Sequence, residues 1–126
     1  MIKGVSKVVV PVRDQDRAKS FWISAMGFEL VQDAPYGEER WLEVRSPDAR
    51  TNLVLERDPA ELDRRSSGPD KLPTSNVMFS CDDLPGTYAE LSGRGVQFPQ
   101  PPVEQPFGWW SMFADSEGNR FALGTD

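Results

Sequence analysis

The chain has 126 residues, with 20 acidic against 14 basic side chains, a net charge of −6 and no histidine. The lack of histidine excludes Ser-His-Asp and Cys-His nucleophilic mechanisms and removes the commonest transition-metal ligand. The single cysteine, Cys81, forbids an intramolecular disulfide; the basic residues form no stripe, and no apolar run reaches the length of a membrane span. The expectation is therefore a soluble, cytoplasmic protein that binds neither nucleic acid nor membrane.

The elements fall in the same order twice. In the first half KVVVPVRD reads as a strand, with Val8, Val10 and Val12 alternating along it. DRAKSFWISAMGFEL follows as a helix, because Ala18, Phe21, Trp22, Ala25 and Met26 recur at helical spacing on one apolar face. Asp14 stands where an N-cap is wanted and Gly27 where a helix ends. A strand through GFEL, a turn at Pro35-Tyr36-Gly37, a strand in ERWLEV and a fourth strand in TNLVLE complete the half.

Residues 58–74 then form a polar connection with three prolines and no apolar period, read as a surface segment. The second half repeats the plan. NVMFSCDD is a strand with Val77, Phe79 and Cys81 on one face, Asp83 caps a helix through LPGTYAELSGRG, and Gly95 ends it. FPQPPVEQPFG carries four prolines and reads as a stiff extended arm at a sheet edge. PFGWWSMF and NRFALG are strands joined by the turn DSEGN, which reads as structural. The chain is thus expected to contain two βαβββ modules, 1–57 and 75–126.

This tandem βαβββ order, opening on VVVPVRDQDRAKSFW and closing on DSEGNRFAL, resembles the vicinal oxygen chelate superfamily, which includes glyoxalase I, extradiol dioxygenases, fosfomycin-modifying enzymes and bleomycin-resistance proteins. The resemblance covers nearly the whole chain. It implies an α+β fold in which the paired modules form an incompletely closed curved sheet around a cavity, with helices on the outer face, and it implies a homodimer.

In metal-dependent members, His or Gln near the start of strands one and five and Glu on strands four and eight hold a divalent cation. The matching positions here are Lys7, Asn76, Val54 and Ala122, with Glu56 one same-face step beyond Val54. An ammonium repels a cation, and valine and alanine offer no donor atom. The expectation is that no metal and no cofactor is bound.

Strand alternation assigns the cavity face. If Val8, Val10 and Val12 pack under a helix, Lys7, Val9 and Pro11 face the cavity, as do Asn76 and Met78 in the fifth strand. Leu42 and Val44 suit the helix side, which leaves Trp41 and Glu43 facing the cavity. Carrying that register to strand seven places Trp110 and Met112 in the cavity and Trp109 and Phe113 outside it; a one-residue bulge exchanges the two sets. The ligand-binding candidates are Lys7, Trp41, Glu43, Glu56, Asn76, Met78, Trp110 and Met112, with Lys7 paired to Glu56 or holding an anionic group. Two indoles and a methionine make an apolar wall for a flat ligand.

Three readings follow. The first is a metal-free binding protein of the bleomycin-resistance type, sequestering or sensing a flat, partly apolar small molecule. The second is a lyase, isomerase or dioxygenase-type enzyme with a non-standard site, using Glu43 or Glu56 as base. The third is a structural or interaction module whose tryptophans form an interface.

Overall fold

A computed structural model of the chain describes residues 1–66 and 68–125. Two compact units are present, Met1–Leu62 and Asp63–Asp126, and each folds around its own four-stranded mixed sheet. No helix among the described residues is long and apolar enough to cross a membrane.

The first unit holds β1 (Lys7–Val12), α1 (Gln15–Ser20), β2 (Glu29–Tyr36), β3 (Glu39–Arg45) and β4 (Asn52–Arg57). The Asp14 carboxylate accepts the Arg17 N–H at 3.0 Å and so caps α1. The helix then widens over Phe21–Ala25, where the Met26 N–H reaches back to the Phe21 carbonyl at 3.1 Å. The expected apolar stripe still works, because Ala18 and Trp22 lose all contact with solvent. The strands run in the order β1-β4-β3-β2, with β1 and β4 parallel and the other pairs antiparallel. One face of the sheet contributes Val10, Val12, Leu42, Val44, Leu53 and Leu55, all buried, to the core with Trp22. At the far edge Asp33 accepts from Arg40 and Lys19, each at 2.8 Å, and those partners hold its carboxyl well below the usual carboxylate range.

The connection departs from expectation. It opens with a helix, α2 (Pro59–Arg65), whose Asp58 cap accepts the Glu61 N–H at 3.2 Å and whose Leu62 is buried. With one buried apolar residue, this short helix has no period for a sequence pattern to display.

The second unit repeats the topology with β5 (Met78–Ser80), α3 (Leu84–Gly93), β6 (Gln97–Gln105), β7 (Gly108–Ala114) and β8 (Arg120–Gly124), ordered β5-β8-β7-β6. Asp83 caps α3 through the Gly86 N–H at 3.1 Å, and Gly95 beyond its end has φ of 93°. The proline-rich arm is itself the edge strand β6, paired to β7 with two register shifts. An edge is where a strand tolerates residues that cannot donate to a ladder. Phe79, Phe113 and Phe121 form the centre of this core, with ring centroids 5.3 to 5.7 Å apart.

The β7–β8 turn is built on Asp115. Its Oδ1 accepts the N–H groups of Glu117 and Asn119 at 2.9 and 2.8 Å, and its Oδ2 accepts Asn119 Nδ2 at 2.9 Å. Burial pushes the carboxyl up from 3.8 to about 6, against the pull of those hydrogen bonds. A raised carboxyl favours the protonated folded state, so its contribution is full below 3.8 and is lost as the pH climbs through about 6. The stability of the wild type relative to Asp115→Asn is therefore expected to fall by about 2–3 kcal/mol between about pH 4 and pH 7. Urea unfolding of both proteins measures this, and a flat difference would mean that the hydrogen bonds offset burial.

Candidate functional site

The parallel pairing of β1 with β4 sets Lys7 opposite Asn52, Val9 opposite Val54 and Pro11 opposite Glu56. The antiparallel pairing of β3 with β4 sets Glu43 opposite Val54. Paired residues share a face of a sheet. Lys7, Val9, Asn52, Val54, Glu56, Glu43 and, by alternation, Trp41 therefore lie on the face opposite the Trp22 core.

At its centre is a buried carboxylate. Glu43 is 3% exposed. Its Oε1 accepts Trp41 Nε1–H at 2.8 Å, its Oε2 accepts Asn52 Nδ2–H, and Lys7 Nζ lies 3.8 Å from Oε2. Burial works to raise the Glu43 carboxyl, but the hydrogen bonds from Asn52 and Trp41 and the charge on Lys7 outweigh it and hold it below its ordinary value. The group is thus a fixed anion. The Trp41 indole is held from a second side by Tyr36, whose ring centroid is 5.8 Å away.

Lys7, Trp41 and Glu43 come together as candidates, but the expected partner of Lys7 was Glu56. Lys7 pairs with Glu43 instead, because Glu56 lies two residues further along β4, opposite Pro11, and is exposed. Asn52 was not among the sequence candidates. Its signal was available, since it stands two residues before Val54 on the same face. Its Oδ1 is buried with no donor among the described residues.

In the second unit, Met78 pairs with Ala122 and Ala122 with Met112, while Ser80 pairs with Gly124 and Gly124 with Trp110. Met78, Met112 and Trp110 therefore share one face, and the register between β7 and β8 carries no bulge. Phe113 and Ser111 face the other way, and Ser111 Oγ–H donates to the Leu123 carbonyl at 2.9 Å. Trp110 passes a strand with no side chain at Gly124, where an added Cβ would stand 2.8 Å from the Trp109 carbonyl oxygen. Met112 is fully buried and Met78 is 74% exposed. Asn76 is exposed and precedes β5. Cys81 is half-buried, and burial raises its thiol above the ordinary value.

The residues at the metal-ligand positions do not fit a metal ion. Val54 and Ala122 are buried hydrocarbon, and Lys7 brings a positive charge. Among the described residues, no three or more His, Cys, Asp or Glu side chains gather closely enough to hold one.

Comparison with known proteins agrees with this architecture. A sequence model described as the Glyoxalase/Bleomycin resistance protein/Dioxygenase superfamily matches residues 4–123. The YetH protein of Bacillus subtilis (strain 168) is 37% identical over 124 residues, covering 98% of each chain. The crystal structure of UcmS2 superposes with a TM-score of 0.86 at 34% identity over 100% of both chains. That of TnmS3, described as an antibiotic binding protein from Streptomyces sp. CB03234, gives 0.80 at 34% identity, covering 98% of this chain and 96% of its own.

The Glu43 cluster makes a stability prediction. Glu43→Ala leaves Trp41 Nε1 and Asn52 Nδ2 without their acceptor, and is expected to cost about 1–3 kcal/mol in urea unfolding. A lowered carboxyl contributes stability above its ordinary value of 4.5 that is lost as the pH falls below it. The gap between wild type and Glu43→Gln is thus expected to be widest near neutrality and to close on acidification; a pH-independent gap would show that charge plays no part.

Proposed function

Because the chain belongs to the Glyoxalase/Bleomycin resistance protein/Dioxygenase superfamily, we propose that it is a small-molecule binding protein that works without a metal ion and sequesters or senses a flat, partly apolar ligand. The observation that carries this reading is the Glu43 carboxylate, buried and engaged by Trp41, Asn52 and Lys7 beside positions where the metal-dependent members place their ligands. A lysine ammonium balances the Glu43 carboxylate in place of a metal ion.

The likeness to TnmS3, an antibiotic binding protein at 34% identity, supports a ligand-binding role. The Trp41 indole offers a stacking plane, and its N–H is already committed to Glu43, which fixes the ring. A ligand cation over that ring, beside a fixed anion, gains about 0.5–2 kcal/mol. On the second unit, Trp110 and Met78 supply an apolar face backed by the fully buried Met112, and Met78 there and Val9 on β1 are exposed enough to meet a ligand or a second copy of the chain in a homodimer. Glu56 and Asn76 are exposed, and in this reading they contribute charge and polarity around the ligand rather than direct grip.

An enzymatic reading needs a base. A carboxylate held below its ordinary value and already accepting two hydrogen bonds is a weak one, so Glu43 suits recognition better than proton abstraction.

Titration with a panel of polycyclic aromatic antibiotics, followed by tryptophan fluorescence with and without EDTA, tests the proposal. Saturable quenching that ignores EDTA and weakens about 10-fold or more in Trp41→Ala is expected, in keeping with the loss of an aromatic anchor. Quenching abolished by EDTA would overturn the metal-free reading.

A further inference from the structure

Within the second unit, at one end of β8, a cavity of about 480 Å³ opens between the β7–β8 turn, the start of β6 and the connection. It shares no residue with the Glu43 cluster. One of its walls is the side chain of Arg120, which is only 9% exposed. The backbone around this arginine is fixed: its N–H donates to Thr74 Oγ1 at 2.8 Å, and its carbonyl accepts the N–H groups of Thr74 and Ser75, each at 3.1 Å.

The guanidinium itself is under-served. Nη1 donates to Asp70 Oδ1 at 3.1 Å, while Nε and Nη2 are buried with no acceptor among the described residues. A guanidinium carries five N–H donors in a planar fork, and burying it without acceptors is unfavourable. Its one carboxylate partner, Asp70, is 98% exposed, so water competes with that pairing throughout. Lys71 stands in the same wall. Two cations and one carboxylate leave the cavity net positive. The remaining wall is formed by Gln97, Phe98, Pro99, Ala114 and Gly118, three of them apolar, and the Phe98 ring is held by Tyr88 at 4.8 Å and Phe113 at 6.3 Å between centroids.

We infer that this cavity is a second ligand site, specific for a small organic carboxylate with an apolar, aryl-like body. Asp70 is its internal placeholder. It occupies the guanidinium with the group that a ligand would bring, and its exposure lets it swing into water when a ligand carboxylate takes its place. The fork geometry of arginine selects a planar carboxylate, Lys71 adds charge, and Phe98 and Pro99 cover the apolar body. The volume lies within the range of small-molecule pockets. The site is independent of the proposed ligand at Glu43, and either can fail alone.

The test is a two-dimensional amide NMR titration of the full chain with benzoate, benzyl alcohol and inorganic phosphate. Benzoate is expected to shift the amides of Lys71, Phe98 and Gly118 saturably, with benzyl alcohol and phosphate much weaker. Asp70→Asn removes the internal competitor and is expected to tighten benzoate by about 3- to 10-fold. Lys71→Ala is expected to weaken it by about 2- to 5-fold, and Arg120→Gln to abolish it. Should Arg120→Gln fail to fold, the opposite signs of the Asp70 and Lys71 variants carry the result. Equal binding of benzyl alcohol would overturn carboxylate recognition, and equal binding of phosphate would overturn the apolar subsite. No saturable shift in Asp70→Asn would overturn the site itself.

Discussion

The parallel pairing of the first strand of each unit with its last is the constraint on which the rest of the structure depends. In the first unit β1 does not pair with β2, the strand that follows its helix; β2 pairs with β3 instead. The first strand of each unit pairs in parallel with the strand that arrives last, β4 or β8. That single register decides every neighbour on the open face. It places Lys7 beside Asn52 and, across β4, within reach of Glu43, and it places Met78 beside Ala122 and, across β8, beside Met112. A slip of one residue would send Lys7 and Glu43 into the Trp22 core and expose Val10 and Val44, at a cost that no surface contact could offset.

The constraint explains why a buried carboxylate is tolerated. An isolated ion in that position would neutralise or unfold its surroundings. Glu43 stays ionised because three strands each deliver a partner: Trp41 from its own strand, Asn52 from β4 and Lys7 from β1. The charge of Glu43 is met by one ammonium and two neutral donors. Lys7 is 41% exposed at its side chain, so its charge is partly screened, and the two hydrogen bonds do most of the holding.

Local features were legible in the sequence because their causes are local. Asp14 and Asp83 cap helices with backbone groups three residues on, and Gly27 and Gly95 adopt positive φ at the helix ends. The alternation of Trp110 and Met112 against Trp109 and Phe113 was legible because β7 runs without a bulge against β8. The Glu43 network was only half legible. Its face followed from alternation, but the choice between Glu43 and Glu56 as the partner of Lys7 depends on the stagger between strands far apart in sequence, which no pattern within one strand encodes. The helix α2 shows no apolar period because only Leu62 is buried, and its sole sequence mark is the helix-start order of Asp58, Pro59 and Glu61. Arg120 gave no local signal at the start of the last strand, and its partner Asp70 lies fifty residues away.

The two faces of each sheet carry different kinds of residue. Leu42 and Leu55 in one unit and Phe113 and Phe121 in the other are fully buried on the sheet faces turned toward the helices, and Met112 is fully buried on the opposite face. Hydrophobic burial supplies the dominant favourable term. The opposite faces are mixed: Glu43, Val54, Met112 and Ala122 are buried there, while Lys7 and Met78 reach solvent. Once Glu43 is buried on that face, Trp41 and Asn52 are no longer free to vary, since removing either takes the hydrogen-bond donor from one of its oxygens. That face of the first unit is thus constrained by its own buried carboxylate.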